Sequence, residues 1–260
     1  MHHSPGIYAL LCAMAAIAGA INAVAGGGTL LTFPVLFTAL GPHAAVLANG
    51  TSTVALFPGA VAALGGYRRD LENCDRWAWL LVAPSLIGAI GGALLAIAFP
   101  DSFRALVPWL ILIAALLFAL QPYIARLTGI GQPHRPASSW TVLGTVFFQL
   151  LVAIYGGYFG AGIGILMLSA LAMMGMSDIH RMNALKSALG SLINGVGAVM
   201  FAVTGNVYWP FALAMAVAAV IGGFVGAASA RRLDRSLVRF VVTVIGFGLA
   251  GYYFYREFAA

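Results

Sequence analysis

Charge is what this sequence has least of. Asp, Glu, Lys and Arg make up 8% of its 260 residues, where a soluble domain carries about 25%, so a solvated globular surface is excluded. The seven acidic residues, Asp70, Glu72, Asp75, Asp101, Asp178, Asp234 and Glu257, lie between or at the ends of apolar stretches and never well inside one. The paired acids of an intramembrane hydrolase are therefore missing. No G-x-x-x-x-G-K-[ST] sequence occurs, which excludes the phosphate-binding loop of an ATP-driven pump. Two cysteines, Cys12 and Cys74, offer no disulfide framework and no thiolate metal site, so neither a metal nor a cofactor is expected. The histidines are scattered, and His43 and His180 sit near block ends, where an interfacial place is the simpler reading. The start, "MHHSPGIYALL", lacks the basic region of a signal peptide and reads as the first membrane segment.

What the chain has instead is apolar length. Hydrophobic residues are 62% of the total, in eight blocks at roughly 7–39, 44–66, 77–99, 103–125, 140–174, 180–204, 207–230 and 236–255. About 20 apolar residues span the 30 Å core of a bilayer, so the fold class is an all-α polytopic membrane protein. Trp77, Trp79, Trp140 and Trp209 sit at block edges, as an interfacial aromatic belt requires. The net charge of +6 reads as loop charge that orients the chain in a lipid bilayer, and no nucleic-acid partner is implied.

The first and fifth blocks are too long for one span. Each contains a glycine cluster, "NAVAGGGTLLTFP" and "YGGYFGAGIGIL", and consecutive glycines disfavour a continuous helix. Small residues also serve close helix packing in membranes, but clusters at matching places inside overlong blocks predict two breaks. The match is numerical. An offset of 134 takes Gly26 to Gly160, Gly28 to Gly162, Gly41 to Gly175, Asn49 to Asn183, Gly88 to Gly222, Gly92 to Gly226 and Ser102 to Ser236. The chain is thus expected to be a duplication, with a membrane repeat at 1–131 and another at 132–260, joined near "RLTGIGQPHRPASS".

The basic residues bear on what the broken blocks do. If each crossed the membrane once, the twelve arginines would divide evenly between the two sides. If each is a hairpin, Arg68, Arg69, Arg76, Arg126, Arg135, Arg181, Arg231, Arg232, Arg235 and Arg239 share one side, leaving Arg104 and Arg256 on the other. The positive-inside rule selects hairpins and puts both termini outside the cytoplasm. A hairpin plus three spans crosses an odd number of times, so the second half enters inverted. The expected architecture is an inverted repeat of two halves, each a Gly-broken helical hairpin plus three transmembrane helices, as in secondary transporters. Whether the hairpins cross fully or only dip in stays open at this point.

Within "HRMNALKSALGSLINGVG" one helical face carries Asn183, Lys186, Ser187, Gly190, Ser191 and Asn194. The corresponding stretch of the first half carries Asn49, Ser52 and Thr53 before Pro58, which is expected to disturb that helix. Lys186 has two readings. It reaches back to the cytoplasmic surface along its stem, or it is a buried cation that needs an anion. Of the acidic residues only Asp178 is near in sequence, so the second reading makes the substrate the anion. Glycine-rich tips add N–H groups that favour the same charge. Any proton coupling would have to use Lys186, a histidine or titration of the substrate itself.

The stretch from "GAINAVAGGGTLLTFPVLFTAL" through "LANGTSTVALFPG", followed by "YFGAGIGIL" and "NALKSALGSLIN", resembles the sulfite exporter TauE/SafE family of bacterial permeases, over nearly the whole chain. The resemblance implies transport of sulfite or a sulfur-containing organic anion such as sulfoacetate across the bacterial inner membrane. The family's motifs fall on Gly26, Gly27, Gly28, Asn49, Gly160, Gly162, Asn183 and Lys186. With Thr29, Ser52, Thr53 and Ser187 they form the expected substrate-binding set. The competing readings are an anion channel and a structural subunit of a membrane complex; an enzyme is not expected. Direction, coupling ion and oligomeric state are not written in the sequence.

Overall fold

The computed structural model describes residues 4–24, 26–41, 43–72, 74, 76–128, 139–229 and 235–258, and among them there is no strand. The described part of the linker ends at Thr128 and resumes at Ser139; residues 129–138 lie outside the described residues. The helices are α1 (Pro5–Val24), α2 (Thr29–Leu40), α3 (Ala45–Glu72), α4 (Val82–Ala98), α5 (Pro100–Thr128), α6 (Ser139–Tyr158), α7 (Ile163–Met173), α8 (Ile179–Val203), α9 (Trp209–Ser229) and α10 (Arg235–Phe258), with a 3₁₀ turn at Arg76–Leu81 before α4. Eight of these are long and apolar enough to cross a membrane; α2 and α7 are the shorter apolar pair.

Both predicted breaks occur. The first block stops at Val24 and restarts at Thr29, and the fifth stops at Tyr158 and restarts at Ile163. Gly26 (φ +73°) and Gly160 (φ +83°), related by the offset of 134, both take the positive φ that side chains rarely adopt. Asn22 closes the first break from within: its Oδ1 accepts from the N–H groups of Gly27 (2.8 Å) and Gly28 (2.9 Å). α2 then runs back along α1, so that Ile7 and Leu10 share one apolar groove with Pro34, Val35 and Thr38. The chain therefore returns to the end it started from, which is the hairpin.

Pro58 does not end its helix. α3 continues through Pro58 as a single helix to Glu72. A proline removes one N–H and crowds the preceding turn, and here α8 and α9 pack along α3.

Helices pack across the two halves through glycine. α9 lies on α1, where a Cβ at Gly222 would strike the carbonyl of Ala16 and one at Gly226 the backbone of Ala20. α4 lies on α6, where a Cβ at Gly88 would strike the carbonyl of Leu150 and one at Gly92 that of Ile154. Subtracting 134 from Leu150 and Ile154 gives Ala16 and Ala20, so these contacts obey the offset found in the sequence. With no hydrophobic drive between helices in lipid, such close backbone approach is a main source of cohesion. The apolar residues left outward include Trp79, Trp140 and Trp209, in keeping with an interfacial belt.

The two breaks meet in the middle of the molecule. A Cβ on Gly26 would lie 3.1 Å from the Cα of Gly164, and one on Gly27 would lie 3.2 Å from the amide nitrogen of Gly162.

Candidate functional site

Where the breaks meet, a small cavity opens between α1, α3, α7 and α8. Its polar lining is Asn22, Lys186, Ser187, Ser191 and Asn194, with Gly26, Gly27 and Gly160 supplying backbone. Lys186 is 2% exposed, so its side chain stays inside the protein rather than at the rim. Ser187 and Ser191 follow on the same face of α8, and their hydroxyl oxygens are buried with no hydrogen-bond partner. A buried hydroxyl without a partner costs about 1–3 kcal/mol, a cost that a ligand bonding to it would relieve. Asn194 faces Gly160, its Oδ1 3.8 Å from where a Cβ on that glycine would stand.

Backbone adds a second source of positive potential. α7 begins at Ile163 behind Gly162, which is left-handed (φ 79°), and no side chain caps it. In the first half Asn22 takes the tip N–H groups; its counterpart at offset 134 is Gly156, which has no side chain to do so. Ile163 and Gly164 line the cavity, so the positive end of the α7 dipole adjoins Lys186. Among the described residues the lining contains one cation and no carboxylate. The nearest acid in sequence, Asp178, caps α8 through the N–H of His180 (2.9 Å) and pairs with the Arg181 guanidinium (3.4 Å).

Of the twelve residues expected at the site, Gly26, Gly27, Gly160, Lys186 and Ser187 line this cavity. The other seven lie outside its lining. Gly28 packs on Ala18, Thr29 is buried at the start of α2, and Gly162 sets the turn into α7. The Asn49 amide donates to the carbonyl of Tyr158 (3.0 Å), at the end of the opposite half's hairpin helix. Ser52 bonds the Thr32 hydroxyl (2.6 Å) and Thr53 the carbonyl of Asn49 (2.9 Å). Asn183 does not repeat the contact of Asn49; its amide turns back onto the carbonyl of Ile179 (2.7 Å). Asn22, Ser191 and Asn194 were not in the expected set. Ser191 and Asn194 are on the helical stripe already described, and the signal for Asn22 was an amide placed just before a glycine cluster, where a helix end needs a cap.

Most of the polar lining comes from α8. At offset 134 Met167 corresponds to Phe33, Lys186 to Ser52, Gly190 to Leu56, Ser191 to Phe57 and Asn194 to Ala60. Phe33 is fully buried and meets Phe159 edge-on at 5.2 Å, while Leu56 is 2% exposed. Around those positions the first half carries bulk where the second carries serine and glycine.

A family model described as sulfite exporter TauE/SafE matches residues 11–253. The probable membrane transporter protein ORF9 of a Sinorhizobium species is 29% identical, over 94% of this chain and 91% of its own length. A probable membrane transporter protein of Haemophilus influenzae is 25% identical, over 93% of this chain and 92% of its own. The probable membrane transporter protein YfcA of Escherichia coli K12 is 26% identical, over 93% and 87%.

Proposed function

Because this chain belongs to the sulfite exporter TauE/SafE family, it is a membrane transporter, and we propose that it carries a small oxyanion, sulfite before a longer sulfonate such as sulfoacetate, by way of Lys186. The observation that carries this reading is the pairing of a buried lysine with two partnerless serine hydroxyls in one cavity. An ammonium, two hydroxyls, two amides and the open end of α7 are donors enough to replace the hydration shell of a small oxyanion. Size supports the smaller ion. The cavity measures about 40 Å³, where one water needs about 10–15 Å³, so it holds a few waters or one ion of sulfite's size.

We further read the chain as two inverted membrane repeats, 1–131 and 132–260. The packing contacts that obey one offset support the duplication. The inversion rests on the loop arginines, whose uneven distribution selects hairpins and so an odd number of crossings per half. The cavity lies between α3 and the α8 face from Lys186 to Asn194, and Arg68, Arg69 and Arg181, at the nearer ends of those two helices, mark the cytoplasmic face of a bacterial inner membrane by the positive-inside rule. Alternating access would exchange the roles of the two halves.

Two measurements test this. In proteoliposomes, uptake of labelled sulfite should saturate and should be stimulated by sulfite on the opposite side; flux that neither saturates nor responds to the opposite side would mean a channel. In detergent, sulfite should raise the unfolding temperature more than sulfoacetate or acetate, since a ligand that binds only the folded state stabilises it by mass action. For the topology, alkaline phosphatase fused after Ala260 should be active in cells and a fluorescent protein that matures only in the cytoplasm should be dark. The reverse pattern would place the C-terminus inside and overturn the hairpin count.

A further inference from the structure

A second polar cavity lies at the far end of α3 from Lys186. It is formed where the α2–α3 turn, the first turns of α3 and α5, and the α8–α9 turn come together, and its polar side chains are His43, Asp101, Arg104 and Asn206. Arg104 Nη1 stands 3.0 Å from His43 Nδ1. A guanidinium only donates, so His43 Nδ1 is the acceptor and its Nε2 carries the proton. The imidazole Nε2–H and the remaining guanidinium N–H groups are then donors in one cavity. Two helices begin there as well, α3 at Ala45 and α5 at Pro100, with their positive ends at the same place. Asp101, exposed in the first turn of α5, is the one carboxylate of the lining.

The two cavities are the ends of one seam. Val46, Gly50, Thr53, Phe57 and Ala60 follow at spacings of four, three, four and three, which is a single face of α3. Val46 lines the Arg104 cavity and Ala60 lines the Lys186 cavity. Between them α8 lies close. A Cβ on Gly50 would stand 2.9 Å from the Cβ of Phe201, and one on Gly197 would stand 3.3 Å from the Thr53 methyl. The Phe57 ring would be 2.8 Å from a Cβ on Gly195. The seam is therefore closed by two phenylalanines laid on glycines, with a cation at either end.

We infer that Arg104 and His43 form a second site for a small oxyanion, at the mouth of the route opposite Lys186. This rests on reading the Lys186 cavity as the transport site, and the two are separable by experiment. Sodium sulfite binding is measured by calorimetry on the full chain in nanodiscs of phosphatidylcholine alone. The expected result is two anions per chain for the parent, one for Arg104→Gln and one for Lys186→Ala, with Arg104→Lys keeping two at reduced affinity. His43→Ala should weaken the second site about tenfold. Unfolding temperatures equal to the parent's show that the variants are folded, and Arg104→Lys serves if Arg104→Gln is not. A parent that binds one anion, or an Arg104→Gln variant that still binds two, overturns the second site. If Lys186→Ala still binds two while Arg104→Gln binds one, the second site stands and the Lys186 reading falls. Adding phosphatidylglycerol should leave the count at two; loss of one would assign the pair to a lipid headgroup and overturn the inference.

Discussion

Lys186→Ala binds sulfite roughly tenfold to a hundredfold more weakly than the parent, while inserting and folding as the parent does. The ammonium is the one cationic side chain in the cavity lining among the described residues, and a charge-assisted hydrogen bond is worth about 1.5–3 kcal/mol, which converts to that range of affinity. The α8 helix is kept because alanine is the better helix former. Lys186→Arg keeps the charge but presents a wide planar fork instead of a compact ammonium. In a cavity of about 40 Å³ it should recover only part of the affinity. Ser187→Ala and Ser191→Ala, each removing a buried hydroxyl with no protein partner, should weaken binding several-fold and hold or raise the unfolding temperature in the absence of anion. Calorimetry on the set decides the matter: a Lys186→Ala variant that keeps both sulfite sites at the parent's affinities would remove the lysine from the site.

Gly222→Ala and Gly92→Ala each lose about 1–3 kcal/mol of stability. The added methyl at Gly222 falls on the backbone of Ala16, and that at Gly92 on the backbone of Ile154 and Tyr158. Backbone inside a helix cannot swing aside as the end of a side chain can, so α9 must lift from α1, or α4 from α6, along the whole line of contact. Gly91→Ala is the control on the same helix as Gly92. Its Cβ meets nothing within 4 Å, and the helix gains up to about 1 kcal/mol from alanine's better propensity. Unfolding temperatures in one detergent should fall for the first two variants and hold or rise for the third. Equal shifts in all three would mean that helix propensity, rather than close packing between the halves, governs stability.

Much of this was legible in one dimension because a membrane chain writes its architecture in composition. The helical class, the apolar lengths and the two breaks follow from hydrophobic runs that exceed the bilayer thickness and from glycines that interrupt them. The stripe on α8 followed from helical spacing alone, and five of its six residues, Lys186 through Asn194, face the cavity. Asn183 does not, because its amide can satisfy itself on the carbonyl one turn back. Pro58 lies inside one continuous helix, along which α8 and α9 pack. Asn22 carries no periodic signal at all; its role exists only because a turn brings Gly27 and Gly28 back onto its side chain.

By itself, then, the sequence determined that the chain is a bundle of membrane helices with two matched interruptions and a lysine where apolar residues would be expected. Each of these is a local property, set by length, hydropathy and backbone freedom. Tertiary structure decided which pieces meet. It set the two glycine breaks against each other and turned Asn49 onto Tyr158 of the opposite half. Contacts between residues more than a hundred positions apart depend on how helices cross, and crossing is governed by the close fit of small residues against backbone, a quantity that no run of letters along one chain contains.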